Sequence, residues 1–560
     1  MKKLFSAILL LLQLQGFSQN RYRVYFSDKD STGFNPISFF DEKALQRRAI
    51  HGISPYCYSD LPVNPCYITQ VSSLCDSTGY ASRWFNMLYV SSSAERIEQI
   101  KQFPFVLAVE EVEELDQFTT SLDLSDLSPG EINLLRAQTT RMNAEAFKKA
   151  GIDGKGIRIC VIDAGFSGMK ETDGLDHLFR KNKIVETYDF VKKTKDVYHG
   201  HYHGTMVTSC IAGMADTIPI GLATEAEFLL ARTEKTWSDK LREEENWLHA
   251  IEWADQHGAQ VINSSLGYTS SRYFRADMNG KAGLISRAAT IAARKGIIVV
   301  SSAGNEGDGA WKIVASPGDA DSVLTVGAIN PWTGLHATWS SYGPSTDKRI
   351  KPNVSAYGYT MCDSDGGLME ETGTSFASPL VAGFAACVLQ MNPGTKNMEI
   401  ISQIEQSADL YPYYDYAHGY GVPQADYFTD STEQLEIERF HIQSSDLKFE
   451  VIIDSSSFTL AEPLLHYYYP YGENNSKKNQ EDEWKEFHID DRETSSSGAY
   501  CYPKFPDYLF YSVQNTEGYL KTYYVISVHQ MNPLTLYKAD FDKGEIVRIW
   551  YKGQMRTINF

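Results

Sequence analysis

A serine, a histidine, an aspartate and an asparagine, each at the end of an apolar run, have the residue types needed for acyl transfer. Ser375 lies in Gly373-Thr374-Ser375-Phe376-Ala377-Ser378-Pro379, which runs into the almost uncharged stretch Leu380 to Leu389. This pattern predicts a helix buried all round, with Ser375 at its N-terminal end. There the unpaired N–H groups and the positive end of the helix dipole favour negative charge, so an oxyanion beside Ser375 would meet ready donors. Pro379 removes a bond to the preceding turn and opens it, which a purely structural helix would avoid. A buried helix with an N-cap serine is the plainer alternative for an isolated Gly-x-Ser. A serine hydroxyl is a weak nucleophile, so the chemical reading requires a base, an orienting acid and an oxyanion donor. Asp163 ends the β-branched run Ile157 to Ile162, as expected of a buried parallel strand. His203-Gly204-Thr205 opens the helical stretch Met206 to Gly213, and Asn305 ends the apolar run Gly296 to Ala303 with an amide N–H₂.

These residues carry a resemblance to the subtilisin-like serine proteases, the subtilases. It rests on Val161-Ile162-Asp163, His203-Gly204-Thr205, Asn263-Ser264-Ser265-Leu266-Gly267, Ala303-Gly304-Asn305 and Gly373 to Pro379, in the order Asp, His, Asn, Ser, over roughly residues 141 to 428. Met206 stands where many members have a second histidine, and Leu380 where a histidine often follows the proline. The resemblance implies a serine endopeptidase in which Ser375 attacks, His203 moves the proton, Asp163 orients the imidazole and Asn305 binds the oxyanion. It also implies that Ser265, Leu266 and Gly267 pair with substrate backbone as an added strand, with Ala303 and Gly304 as the opposite wall of the first specificity pocket. Small residues on both walls leave room for a large P1 side chain, although such glycines also serve simply to close strand ends. A catalytically silent protease fold used for binding or as a scaffold is the alternative function.

Two further patterns concern metals. His199, His201 and His203 alternate as ligands on one strand face would, but Gly200 and Gly204 argue for a turn. Asp363-Ser364-Asp365-Gly366 resembles an oxygen-ligand loop without the spaced glutamate of a calcium hand. No cofactor is required by the chemistry; calcium is an option carried by the resemblance, and its ligands and any metal site stay unassigned.

The surrounding chain must position these groups. Met1-Lys2-Lys3, the apolar run Leu4 to Leu14, and Gly16 and Ser18 before Gln19 predict a signal peptide over 1–18. With no later uncharged run long enough to span a membrane, the mature protein is expected to be soluble and exported, periplasmic or extracellular. The 560 residues allow two to four domains, and the net charge of −19 argues against nucleic acid as a partner. Protein or peptide substrates and a monomer are expected. Eight cysteines permit disulfides in an exported chain, with Cys57, Cys66 and Cys75 clustered early and Cys160, Cys210 and Cys387 on buried elements.

Residues 19–115 predict a small α+β unit, with strands at Arg21–Phe26, Trp84–Val90 and Val106–Val109 and helices at Asp41–Ile50 and Ala94–Phe103. Its place in the chain is similar to that of the inhibitory propeptides of subtilases; a retained N-terminal domain is the alternative. Acidic and Ser-rich residues predict an exposed linker over 116–140. Within 141–428 strands alternate with helices such as Asn246–His257 and Leu284–Lys295, predicting a parallel sheet with helices on both faces and ligands at its carboxyl edge. Residues 429–560, dense in Tyr, Phe and Ser with short alternating runs, predict an all-β domain. Its last strand resembles the end of bacterial sorting domains, which would allow cell-surface placement; a packing or substrate-binding accessory role is equally open.

Overall fold

The computed structural model describes residues 20–30, 32–112, 129–235, 240–269, 273–430, 438–453, 467–470, 507–528 and 531–560. The expected signal peptide, and the part of the expected linker from 116 to 128, lie outside them.

The N-terminal unit contains strands β1 (Asn20–Phe26), β2 (Ser77–Ser82), β3 (Met87–Ser92) and β4 (Val106–Val112), and helices α1 (Pro36–Phe39), α2 (Glu42–Ile50), α3 (Pro65–Ser72) and α4 (Ala94–Ile100). Its antiparallel sheet has the order β2-β3-β1-β4, closed over a core that includes Val24, Val71, Leu88, Val90, Ile97 and Ile100. The strand expected from Trp84 begins only at Met87, because Asn86 turns the chain at a φ of 49°.

The central domain opens with α5 (Pro129–Thr140) and α6 (Ala144–Lys149). The expected linker therefore does not reach residue 140. Leu134 and Leu135 of α5 are buried, and Gln138 Nε2 donates to the carbonyls of Ile220 and Met361, so docking makes a helix of what reads as spacer. The chain continues through β5 (Arg158–Asp163), α7 (Asp176–Arg180), β6 (Ile184–Asp189), α8 (His203–Ala212), the short β7 (Met214–Ala215) and β8 (Ile218–Pro219), and β9 (Glu227–Arg232). Then come α9 (Lys240–Gln256), β10 (Val261–Ser264), α10 (Leu284–Arg294), β11 (Ile298–Ser302), β12 (Val323–Ile329) and β13 (Val354–Tyr357). The hairpin β14 (Tyr359–Ser364) and β15 (Gly367–Thr372) leads into α11 (Thr374–Met391), followed by α12 (Asn397–Ser407) and α13 (Asp426–Thr429).

Seven parallel strands form the sheet β13-β12-β11-β10-β5-β9-β6. Buried on both faces, strands such as β11 and β12 carry no exposed residue, which is why they read as unbroken apolar runs. Helix α11 is long and apolar enough to cross a membrane, but it is wrapped by protein, with Leu380, Val381, Phe384 and Val388 fully buried.

The C-terminal region carries β16 (Phe440–Ser444), β17 (Lys448–Ile453), β18 (Tyr467–Pro470), β19 (Tyr508–Gln514), β20 (Leu520–Ser527), β21 (Leu534–Tyr537), β22 (Ile546–Tyr551) and β23 (Gln554–Asn559). They form sheets of order β16-β17-β21 and β18-β20-β19-β22-β23 around Val451, Val513, Val547, Ile549 and Tyr551. Phe510 and Trp550 pack with Leu335, Leu410 and Tyr413 of the central domain.

Candidate active site

The parallel sheet brings three sequence segments to its carboxyl edge. Asp163 is the last residue of β5 and fully buried, Ser265 follows β10, and Asn305 lies just beyond β11. His203 is the first residue of α8 and Ser375 the second of α11.

His203 Nδ1 stands 2.8 Å from Asp163 Oδ1 and 3.0 Å from Oδ2. The Asp163 carboxylate is fixed in turn by the Ala164 N–H at 2.7 Å. Burial pushes the imidazole pKa down, but Asp163, by charge and hydrogen bond, and the Glu371 carboxylate outweigh it and hold His203 above its ordinary value. A proton on Nδ1 directed at Asp163 leaves Nε2 free to accept one. The His203 ring lies 5.5 Å from the ring of Phe376, the neighbour of Ser375. Ser375 Oγ donates to the Ser265 carbonyl at 3.1 Å; among the described residues it makes no hydrogen bond to His203.

Asn305 is held by Thr374, whose N–H and hydroxyl donate to Asn305 Oδ1 at 2.9 and 2.8 Å. With the carbonyl end occupied, Nδ2 turns toward Gly373, the N-cap of α11 at a φ of +153°. A Cβ at Gly373 would stand 3.4 Å from Asn305 Nδ2 and 3.6 Å from Ser375 N. Both nitrogens thus lie beside the space that the missing side chain leaves.

The two segments expected to wall the first specificity pocket lie beside one another. A Cβ at Gly267 would lie 3.0 Å from the Ala315 Cβ, and one at Gly304 3.3 Å from it, so both segments press on Ala315. Leu266 and Ala303 are buried. Tyr268 and Ser316 exchange backbone hydrogen bonds, tying the wall after β10 to the loop that carries Ala315.

The alternating histidines do not share a strand face. His203 opens a helix, His201 Nδ1 accepts the His203 N–H at 3.1 Å, and His199 Nε2 faces Asp189 at 3.4 Å. Asp363 Oδ2 accepts the Gly174 N–H at 2.8 Å. Among the described residues no group of three His, Cys, Asp or Glu has the disposition to hold a metal ion. Cys57, Cys66 and Cys75 are unpaired, while burial raises the thiols of Cys160, Cys210 and Cys387, that of Cys210 to about 12, which makes these three inert. Sequence reasoning missed Thr374 as the holder of Asn305 and Glu371 beside His203. Thr374 sat inside the Ser375 motif, whereas no spacing rule links Glu371 to residue 203.

The model of the subtilase family matches residues 154–422, and that of the peptidase S8 propeptide domain of Bacteroidota matches residues 21–124. M-protease of Shouchella clausii is 26% identical over 56% of this chain and 83% of its own length. Subtilisin E of Bacillus subtilis is 26% identical over 58% of this chain and 76% of its own. A structure of the epidermin leader peptide processing serine protease of Staphylococcus aureus superposes with a TM-score of 0.52 at 15% identity, over 74% of this chain and all of that one, which is a likeness of fold.

Proposed function

We propose a specific set of roles for this chain, which belongs to the subtilase family of serine endopeptidases. Ser375 Oγ adds to the scissile carbonyl carbon while His203 Nε2 takes its proton. Asp163 holds the imidazole tautomer and stabilises the imidazolium. Asn305 Nδ2 and the Ser375 N–H bind the oxyanion. As the C–N bond breaks, His203 returns the proton to the leaving amine. Water then hydrolyses the acyl ester by the same steps, and none of them is routed through a cofactor. The observation that carries this reading is the 2.8 Å contact between His203 and Asp163, residues 40 apart in sequence, with the nitrogens of Asn305 and Ser375 both beside Gly373. The hydroxyl must turn from the Ser265 carbonyl to His203, and catalytic hydrogen bonds commonly tighten only when substrate is bound. Ser265 to Gly267 and Ala303 to Gly304 line the substrate. The intact set weighs against a silent binding fold.

The N-terminal propeptide unit silences the enzyme during export, with residues 1–18 as the signal peptide, and is cut away by the enzyme itself. Since α5 is anchored in the central domain, the cut falls between Val112 and Pro129. Ser375→Ala should abolish casein hydrolysis and fluorophosphonate labelling and leave the chain uncut. A labelled Ser375→Ala protein would overturn the assignment.

A further inference from the structure

The hydrogen bonds around Ser375 are unusual in one respect. In an α-helix the carbonyl of residue 375 is normally satisfied by the N–H of residue 379, and Pro379 has none. The carbonyl is served instead from another element: Ser265 Oγ donates to it at 2.8 Å. The direction of that bond is fixed, because Asn263 Nδ2 donates to Ser265 Oγ at 3.0 Å and so leaves the hydroxyl proton for residue 375. Asn263 is oriented in turn by Ser378, whose Oγ donates to Asn263 Oδ1 at 2.9 Å. Ser375 completes a reciprocal clasp by donating its own Oγ to the Ser265 carbonyl. Asn263 and Ser378 are fully buried and Ser265 is 4% exposed, so water does not substitute for any member.

We propose that Ser265, oriented by Asn263, is a positioning residue for the nucleophile: its side chain locks the first turn of α11 so that Ser375 Oγ and N–H keep their places relative to His203 and Asn305. This rests on the assignment of Ser375 as nucleophile. Pro379 opens the turn, and the hydroxyl of Ser265, just after β10, holds the opened carbonyl at one point. The Ser265 backbone serves substrate, while its side chain serves the enzyme.

The test uses the matured enzyme, with kcat calculated per fluorophosphonate-titrated site. Ser265→Ala removes the side-chain donor to the Ser375 carbonyl, and a nucleophile displaced even slightly loses rate steeply, so kcat should fall about ten- to hundredfold with KM within about twofold. Pro379→Ala in the Ser265→Ala background supplies the backbone N–H that the parent lacks, and should recover most of kcat. Ser265→Thr keeps the hydroxyl and should retain kcat within about threefold. An unchanged kcat in Ser265→Ala, a loss in KM alone, or a kcat defect that neither the double variant nor threonine relieves would overturn the positioning role. If Ser375→Ala still labels, the nucleophile assignment fails and this role with it; if it does not label, the Ser265 results stand alone.

Discussion

Helix α2 of the N-terminal unit inserts two arginines against the amino edge of the central sheet, and the balance of charge there predicts which residue governs its release. Arg47 and Arg48 both donate to Asp255, Arg48 at 2.6 Å. Arg48 also reaches Asp60 at 2.8 Å, and Lys295 reaches Asp60 at 2.5 Å. All five are buried, Asp255 at 2% exposure. Burial already pushes the Arg47 guanidinium down to about 10 against the pull of Asp255. Three cations thus face two carboxylates. Asp255→Ala leaves three cations and one carboxylate, with Arg47 stripped of its acid; breaking a buried pair in this way costs about 3–5 kcal/mol. Arg48→Met leaves two of each, since Asp255 keeps Arg47 and Asp60 keeps Lys295, and should cost about 1 kcal/mol or less. The assay is inhibition of the matured enzyme by the separate 20–112 unit, which has its own core. At about 1.36 kcal/mol per tenfold, Asp255→Ala should raise the inhibition constant by about 10²–10⁴ and Arg48→Met by less than tenfold. The activity of the free enzyme should be unchanged, because Asp255, at the far edge of the sheet from Ser375, meets water once the unit leaves. Equal inhibition of parent and Asp255→Ala, or a larger effect from Arg48→Met, would refute the reasoning.

Three other outcomes are expected. Asn305→Ala should lower kcat about 10²–10³-fold, the loss known for one oxyanion donor in subtilisin, with KM nearly unchanged; a loss of affinity alone would point to a groove role. The base form of His203 is neutral, so activity rises with pH through its raised pKa, and Glu371→Gln removes a carboxylate that raises it: the acid limb of kcat/KM should move to lower pH, and an upward shift would contradict the assignment. Phe384→Ala, fully buried in α11 and 5.1 Å from the Phe147 ring, should destabilise by about 3–5 kcal/mol in urea titrations of the inactive Ser375→Ala chain.

The carboxyl edge of the sheet was legible because its strands are buried on both faces. Ile159 to Ile162 and Ile298 to Val300 therefore read as short β-branched runs, and the polar residue that ends each run stands where a ligand would sit. The amino edge was not legible. Arg47 and Asp255 are 208 residues apart, and neither the arginine pair in α2 nor the carboxylates of α9 carry a pattern that names a partner. Glu252 of α9 accepts from the Tyr80 and Ser82 hydroxyls at 2.7 and 2.5 Å and from the Arg83 and Trp84 N–H groups. In sequence it is one more charge on an amphipathic helix. Strand β2, rich in Ser, Thr and Gly, was missed for the related reason that packing and not propensity makes it.

The division follows from the parallel sheet, which has two chemically different ends. Strand C-termini face the site, where small groups must hold sub-ångström positions and so leave recognisable strings. The start of β5 at Arg158, and Gln260 and Gly296 just before β10 and β11, face the N-terminal unit. Arg158 Nη1 binds Asp41 at 2.9 Å, the Asp41 N–H donates to the Gln256 carbonyl, and the Asn397 N–H donates to His51 Nε2 at 3.0 Å. A lock at that end is free to vary in strength without moving Asp163, His203 or Ser375. Inhibitor affinity and catalytic rate should therefore respond to different substitutions, which is the separation that Asp255→Ala and Asn305→Ala measure between them.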